Sequence, residues 1–221
     1  MSLVLIGFMG AGKSRGARDA ANALGIDAAD SDALVAAELG MSIETFFERE
    51  GEAAFREIEE RVVCTLLDRN PAIVALGGGA VLSDRVRERL RDHTVAFVEV
   101  DPETAWERAA GRGRPLARDR AAFELRYAER LPLYEQLADA FVPSGEVAPA
   151  AAALGRRPEG TRMIWYGNEP VTERAPDGGW GAITSGSWPR ATRCSATRTT
   201  EWATPFTSGG NDSVTIAIRM P

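Results

Sequence analysis

Apolar positions recur along the first 155 residues in two alternating patterns, short unbroken runs and longer stretches with helical spacing. The runs at 3–6, 72–76, 94–100 and 139–142 are of the kind that fills strands buried on both faces. A weaker run at 26–32 ends in the acids Asp30 and Asp32. Between the runs, Ala17, Ala20, Ala21 and Leu24 predict a helix over 14–24 that stops at Gly25, and residues 33–39 predict another closed by Gly40. Ser42 is an N-cap for a helix that Glu50-Gly51 interrupts. The next helix, over 52–68, carries Phe55, Ile58, Val62 and Leu66 on one stripe. Helices are expected again over 83–91, from Asp101-Pro102 to about Gly111, over 121–137 and, weakly, over 147–154. Strands alternating with helices predict an α/β domain, a parallel sheet covered on both faces.

After residue 155 the pattern stops. The first 155 residues hold sixteen leucines, whereas residues 156–221 hold none and draw 29 of their 66 positions from Gly, Pro, Ser and Thr. Four of the five tryptophans lie here, and 214–218 is the one strand-like run. Such a segment buries little, so residues 1–155 are expected to form the domain and 156–221 a poorly ordered tail. The missing leucines suggest an altered reading frame or a truncated fusion.

Composition narrows the function. A net charge of −6 argues against nucleic acid or an anionic membrane as partner. No apolar run reaches the roughly 18 residues of a membrane span. Cys64 and Cys194 stand far apart without metal spacing, which suits a reducing cytoplasm, and the single histidine, His93, reads as a turn residue.

The chemistry is carried by Gly7-Phe8-Met9-Gly10-Ala11-Gly12-Lys13-Ser14, set between a strand and a helix. This is a P-loop pattern. Its glycines let backbone N–H groups converge on a phosphate, Lys13 can reach the β- and γ-phosphates, and the Ser14 hydroxyl can hold Mg2+. Lys13 is the only lysine in the chain. Gly77-Gly78-Gly79 ends the second buried run, where open α/β sheets receive ligands. The loop 111–120 holds four arginines with two glycines and a proline, a candidate lid over phosphates.

Taken together, residues 7–14, Asp30-Ser31-Asp32, Glu50-Gly51-Glu52 followed by Phe55-Arg56 and Glu59, Leu76–79, Arg114-Pro115-Leu116, and Arg130-x-Pro132-Leu133-Tyr134 resemble the shikimate kinase family over residues 2–150. The resemblance implies a P-loop three-layer sandwich with a five-stranded parallel sheet of order 2-3-1-4-5. It implies transfer of the ATP γ-phosphate to the 3-hydroxyl of shikimate, with ATP and Mg2+ as cofactors, by a monomer. Lys13, Asp32 and Arg114 are then expected to be catalytic. Gly10, Ala11, Gly12, Lys13, Ser14, Arg15, Arg108 and Arg114 would contact the nucleotide, Arg108 beside the adenine. Asp32, Phe47, Phe55, Arg56, Gly77, Gly78, Gly79 and Arg130 would contact shikimate, with Arg56 and Arg130 gripping its carboxylate and Glu59 holding Arg56. Ser14 would ligate the metal, and Asp30 would act on it through water. Alternatives are another small-metabolite P-loop kinase of the gluconate kinase type, or a non-catalytic nucleotide-binding module. Arg15-Gly16-Ala17 departs from the family pattern of a hydroxyl residue, an aliphatic and glycine, and Gly16 is expected to weaken the first helical turn.

Overall fold

The structure is a computed structural model. It describes residues 1–110 and 119–154 in full, and 161–166 and 169–174 as strands. The chain divides into two compact units, Met1–Arg156 and Arg157–Pro221.

The first unit is built on β1 (Leu3–Ile6), β2 (Ala28–Asp30), β3 (Ile73–Ala75), β4 (Thr94–Glu99) and β5 (Ala140–Pro143). They pair in parallel in the order β2-β3-β1-β4-β5. β1 is central because Val4, Leu5 and Ile6 can be buried on both faces; Leu3 lies opposite Ile73 on one side and Thr94 on the other. The edge strand β2 is short and half-exposed.

Among the described residues seven α-helices connect and cover the strands: α1 (Lys13–Leu24), α2 (Ser31–Leu39), α3 (Ile43–Asp68), α4 (Asp84–Leu90), α5 (Pro102–Ala109), α6 (Arg120–Leu137) and α7 (Val147–Leu154). Their ends follow local chemistry. Ser42, Ser83 and Asp101 cap α3, α4 and α5 with side-chain oxygens that accept backbone N–H groups. Gly25 and Gly40 take left-handed conformations at the ends of α1 and α2. The expected interruption near Glu50-Gly51 is a kink within α3, where Gly51 has φ 80° and ψ 177°. Pro132 lies inside α6. Val35, Phe55 and Val62 make a small core between α2 and α3, backed by Phe46, Phe47 and Ile58.

The sheet order places β1 where successive connections depart in opposite directions, with β2 and β3 to one side and β4 and β5 to the other. The crevice at the carboxyl ends of the strands therefore opens beside β1.

Beyond the domain, Thr161–Tyr166 (β6) and Glu169–Arg174 (β7) pair as an antiparallel hairpin. The expectation of a single strand-like run after residue 155, at 214–218, missed these two strands. The segment Arg162-Met163-Ile164-Trp165-Tyr166 does carry β-favouring residues, but Gly167-Asn168 after it is a hairpin signal the composition obscured. Residues 214–218 lie outside the described residues.

Candidate active site

The loop after β1 turns on three glycines with positive φ: Gly7 at 140°, Gly10 at 86° and Gly12 at 87°. At two of them a side chain is excluded twice over. A Cβ on Gly7 would lie 2.6 Å from the Val98 carbonyl oxygen, and one on Gly10 would lie 2.5 Å from that of Ala105. The loop is thus wedged between β4 and α5 by backbone contacts. Lys13 is buried, and its Nζ donates to the carbonyl oxygens of Gly7 at 2.7 Å and Phe8 at 3.0 Å. Among the described residues no side chain caps the N-terminus of α1, whose first-turn N–H groups have no intrahelical acceptor. Ser14, in that turn, is half-buried.

Arg15, expected at the nucleotide, is exposed and pairs with Asp19 across one helical turn at 3.5 Å. Gly16 has a reason the sequence did not disclose: a Cβ there would fall 2.6 Å from the Cβ of Val147 on α7. The glycine that costs helix propensity lets α7 close on α1. Arg108 donates to the carbonyl of Gly10 at 3.3 Å and to the Ser144 hydroxyl at 2.6 Å, so its guanidinium is engaged with the phosphate loop itself. Arg114 lies outside the described residues.

The other wall is the glycine run after β3. Gly77 donates its N–H to the buried Ser31 hydroxyl at 2.8 Å, which ties this loop to the start of α2. Asp30 caps α2, its Oδ1 accepting from the N–H groups of Asp32 and Ala33. That cap sets Asp32 in the first turn, where its Oδ1 would be 2.5 Å from a Cβ on Gly77; Glu59 Oε1 would be 2.8 Å from the same atom. Gly79 makes equivalent room for Arg56, whose Nη1 would be 2.1 Å from a Cβ there. The missing Cβ atoms at Gly77 and Gly79 leave the room that Asp32, Glu59 and Arg56 occupy.

Arg56 is gripped from both sides, by Glu52 at 2.8 Å and Glu59 at 2.5 Å, and lies over the Phe55 ring. Burial would lower its pKa, but the two carboxylates outweigh that and hold it above its ordinary value. Glu59 is only 3% exposed. It belongs to the buried wall and pairs there with Arg56. Burial pushes its carboxyl up, against the pull of the Arg56 guanidinium. Phe47 and Phe55 meet with ring centroids 4.7 Å apart.

Arg130, from α6, is 7% exposed. Its Nη1 donates to the Gly78 carbonyl at 3.4 Å, and the group lies over the Phe8 ring. Tyr134, one turn on, donates its hydroxyl to the same carbonyl at 2.5 Å and stacks on Phe97. Burial raises the phenol pKa, which keeps it a neutral donor. Among the described residues no carboxylate lies within ion-pair distance of Arg130, and Glu59 acts on it only through space. Asp32, Arg56, Glu59 and Arg130 thus surround one strip of backbone, Gly77–79. Sequence reasoning did not assign Ser31, Tyr134 or Ser144; the first two sit within motifs it quoted, and Ser144 carries no local signal.

A separate cavity of about 810 Å³ is lined by Arg56, Glu59 and Gly79 with Cys64, Ser83 and Arg85. Neither Lys13, Asp32 nor Arg130 lines it, so it is not the crevice between the two loops.

The arrangement has an anion-binding loop with a buried ammonium on one side. On the other is a carboxylate beside two guanidinium groups against bare backbone. Such a crevice can hold a polyphosphate facing a small acidic polyol. The family model described as shikimate kinase matches residues 9–155. A shikimate kinase of Thermobifida fusca is 40% identical over 153 residues, 68% of this chain and 89% of the relative. One from Paramagnetospirillum magneticum is 42% identical over 158 residues, 69% of this chain and 80% of that protein. The solved shikimate kinase of Acinetobacter baumannii, in complex with shikimate, superposes with a TM-score of 0.65 at 30% identity, covering 70% of this chain and 90% of its own.

Proposed function

Since this chain belongs to the shikimate kinase family, we propose that it transfers the γ-phosphoryl group of ATP to the 3-hydroxyl of shikimate. The observation that carries the reading is the pair Arg56 and Arg130 against Gly77–79. Arg130 is a buried cation without a contacting carboxylate among the described residues, and a ligand carboxylate would supply the missing countercharge. Arg56, already paired with Glu52 and Glu59, is held in a fixed orientation for the same group. Phe47 and Phe55 offer apolar surface to a ring.

In this reading Asp32 takes up the proton as the hydroxyl oxygen bonds to the γ-phosphorus, and the bond from that phosphorus to the β–γ bridging oxygen breaks to release ADP. Lys13 leaves its loop carbonyls to follow the phosphates, and the first turn of α1 offers N–H groups to the β-phosphate. Arg114 would add positive charge over the γ-phosphate. A divalent cation fits the residues present. Ser14 offers one hydroxyl, and Asp30 keeps the oxygen that does not cap α2, a sparse oxygen set suited to Mg2+ that retains its waters. The ion would neutralise phosphate charge when bound. The same reading has the protein act as a monomer, and the buried free thiol of Cys64 suits a reducing cytoplasm.

Product analysis tests the proposal. Incubation with ATP, Mg2+ and shikimate should yield one phosphomonoester, at O3 of the ring. Phosphate at another oxygen, or ATP hydrolysis alone, would overturn it.

A further inference from the structure

The segment that leaves β5 meets the phosphate loop twice. The Ser144 hydroxyl donates to the Ala11 carbonyl at 3.0 Å and accepts from Arg108 Nη1 at 2.6 Å. Its backbone N–H is fixed to the Glu99 carbonyl at 2.9 Å, at the end of β4. Three residues on, Val147 occupies the space left by Gly16.

The direction of these bonds matters. A guanidinium only donates, so Arg108 uses a lone pair of the Ser144 oxygen and leaves the single hydroxyl proton for Ala11. A trans peptide holds its C=O and N–H on opposite sides. The Gly10 carbonyl, turned toward Arg108, sends the next N–H inward, and Ala11 N–H indeed reaches the Phe8 carbonyl at 3.2 Å. By the same geometry the Ala11 carbonyl, turned toward Ser144, sends the N–H of Gly12 into the loop, where no described residue accepts it. A Cβ on Gly12 would meet only the Ser144 oxygen, at 3.6 Å. The hydroxyl therefore lies directly against the peptide it orients.

We propose that Ser144 is a positioning residue for nucleotide phosphate: its hydroxyl, aligned by Arg108, fixes the Ala11–Gly12 peptide so that Gly12 N–H is held ready for a phosphate oxygen. The proposal rests on the reading of the loop as an ATP site. It makes the strand-to-helix connection after β5 part of the phosphate-binding apparatus.

The test uses the full-length chain with Ser144→Ala and Ser144→Thr. ADP affinity is measured by calorimetry, and KM for ATP and for shikimate by ADP release. Loss of one oriented hydrogen bond should weaken ADP binding and raise KM for ATP about tenfold in Ser144→Ala. KM for shikimate and kcat should stay within about twofold, and Ser144→Thr, which keeps the hydroxyl, should stay close to the parent. Parent-like ADP binding in Ser144→Ala would overturn the proposal, as would equal losses in the alanine and threonine variants or an equal rise in both KM values. If Ser144→Ala does not fold, Ser144→Cys, of similar volume and with a weak donor, is read by the same criteria. ADP binding needs no acceptor, so Ser144-dependent affinity without shikimate turnover would sink the kinase reading and leave this one standing. Normal turnover with Ser144-independent affinity would do the reverse.

Discussion

Arg130 holds a buried positive charge against a backbone carbonyl, an arrangement that costs stability unless an anion completes it. Arg56 differs, because Glu52 and Glu59 already compensate it. The two guanidinium groups should therefore respond differently to truncation. If Arg130 meets the shikimate carboxylate as proposed, KM for shikimate should rise in Arg130→Ala by about thirtyfold or more, equivalent to about 2 kcal/mol, with KM for ATP little changed. Steady-state kinetics with each substrate varied checks this, and equal losses for both substrates would show that Arg130 does not face the acceptor. Removal of the Arg56 side chain would also leave Glu59 buried without its counterion, so part of its effect would be on stability.

At the scale of elements, what the sequence discloses follows from distance along the chain. Helix caps, glycine stops, the kink at Gly51 and the phosphate loop are local, and their chemistry is written in adjacent residues. The bonds that assemble the crevice are not local. Ser31 reaches Gly77 across 46 positions, Tyr134 reaches Gly78 across 56, and Ser144 reaches Ala11 across 133. Polarity patterns carry no trace of such pairings, which is why Gly16 reads as a weakness. Gly16 gives a direct check. Gly16→Ala should destabilise the domain by about 1–3 kcal/mol through the clash with Val147. Val147→Gly, which removes the contacting Cβ itself, should cost stability alone yet relieve most of the clash in the double variant, a coupling that denaturation of all four proteins would reveal. Additive losses would mean that α1 and α7 do not meet there.

A second element-scale test concerns the start of β1. The N–H of Ser2 donates to Nδ1 of His93, which places the ring proton on Nε2. Burial lowers the His93 pKa below its ordinary value near 6.5. The folded chain then binds fewer protons than the unfolded one between that lowered value and about 6.5. Stability from this group is full above pH 6.5 and falls as the pH drops through the interval. Thermal midpoints measured from pH 7 to 5 should decline, and His93→Gln should flatten the decline. An unchanged slope in the variant would show that other groups cause it.

At the scale of the whole molecule, every described residue assigned to the crevice lies in the unit Met1–Arg156. The order β2-β3-β1-β4-β5 gathers many of them by bringing the loops after β1, β3 and β5 and the start of α2 to the carboxyl ends of the strands. A chain ending at Arg156 should retain turnover within about threefold of the full protein. Aggregation of the shortened chain, or loss of activity from a folded one, would assign 157–221 a part in the domain.

The central claim is that the crevice accepts one carboxylated polyol opposite ATP. ADP release measured on the full chain with shikimate, gluconate and a nucleoside monophosphate tests it most directly. The account predicts rapid ADP release with shikimate and only background hydrolysis with the other two; comparable release with gluconate or the nucleotide, or none with shikimate, would contradict it.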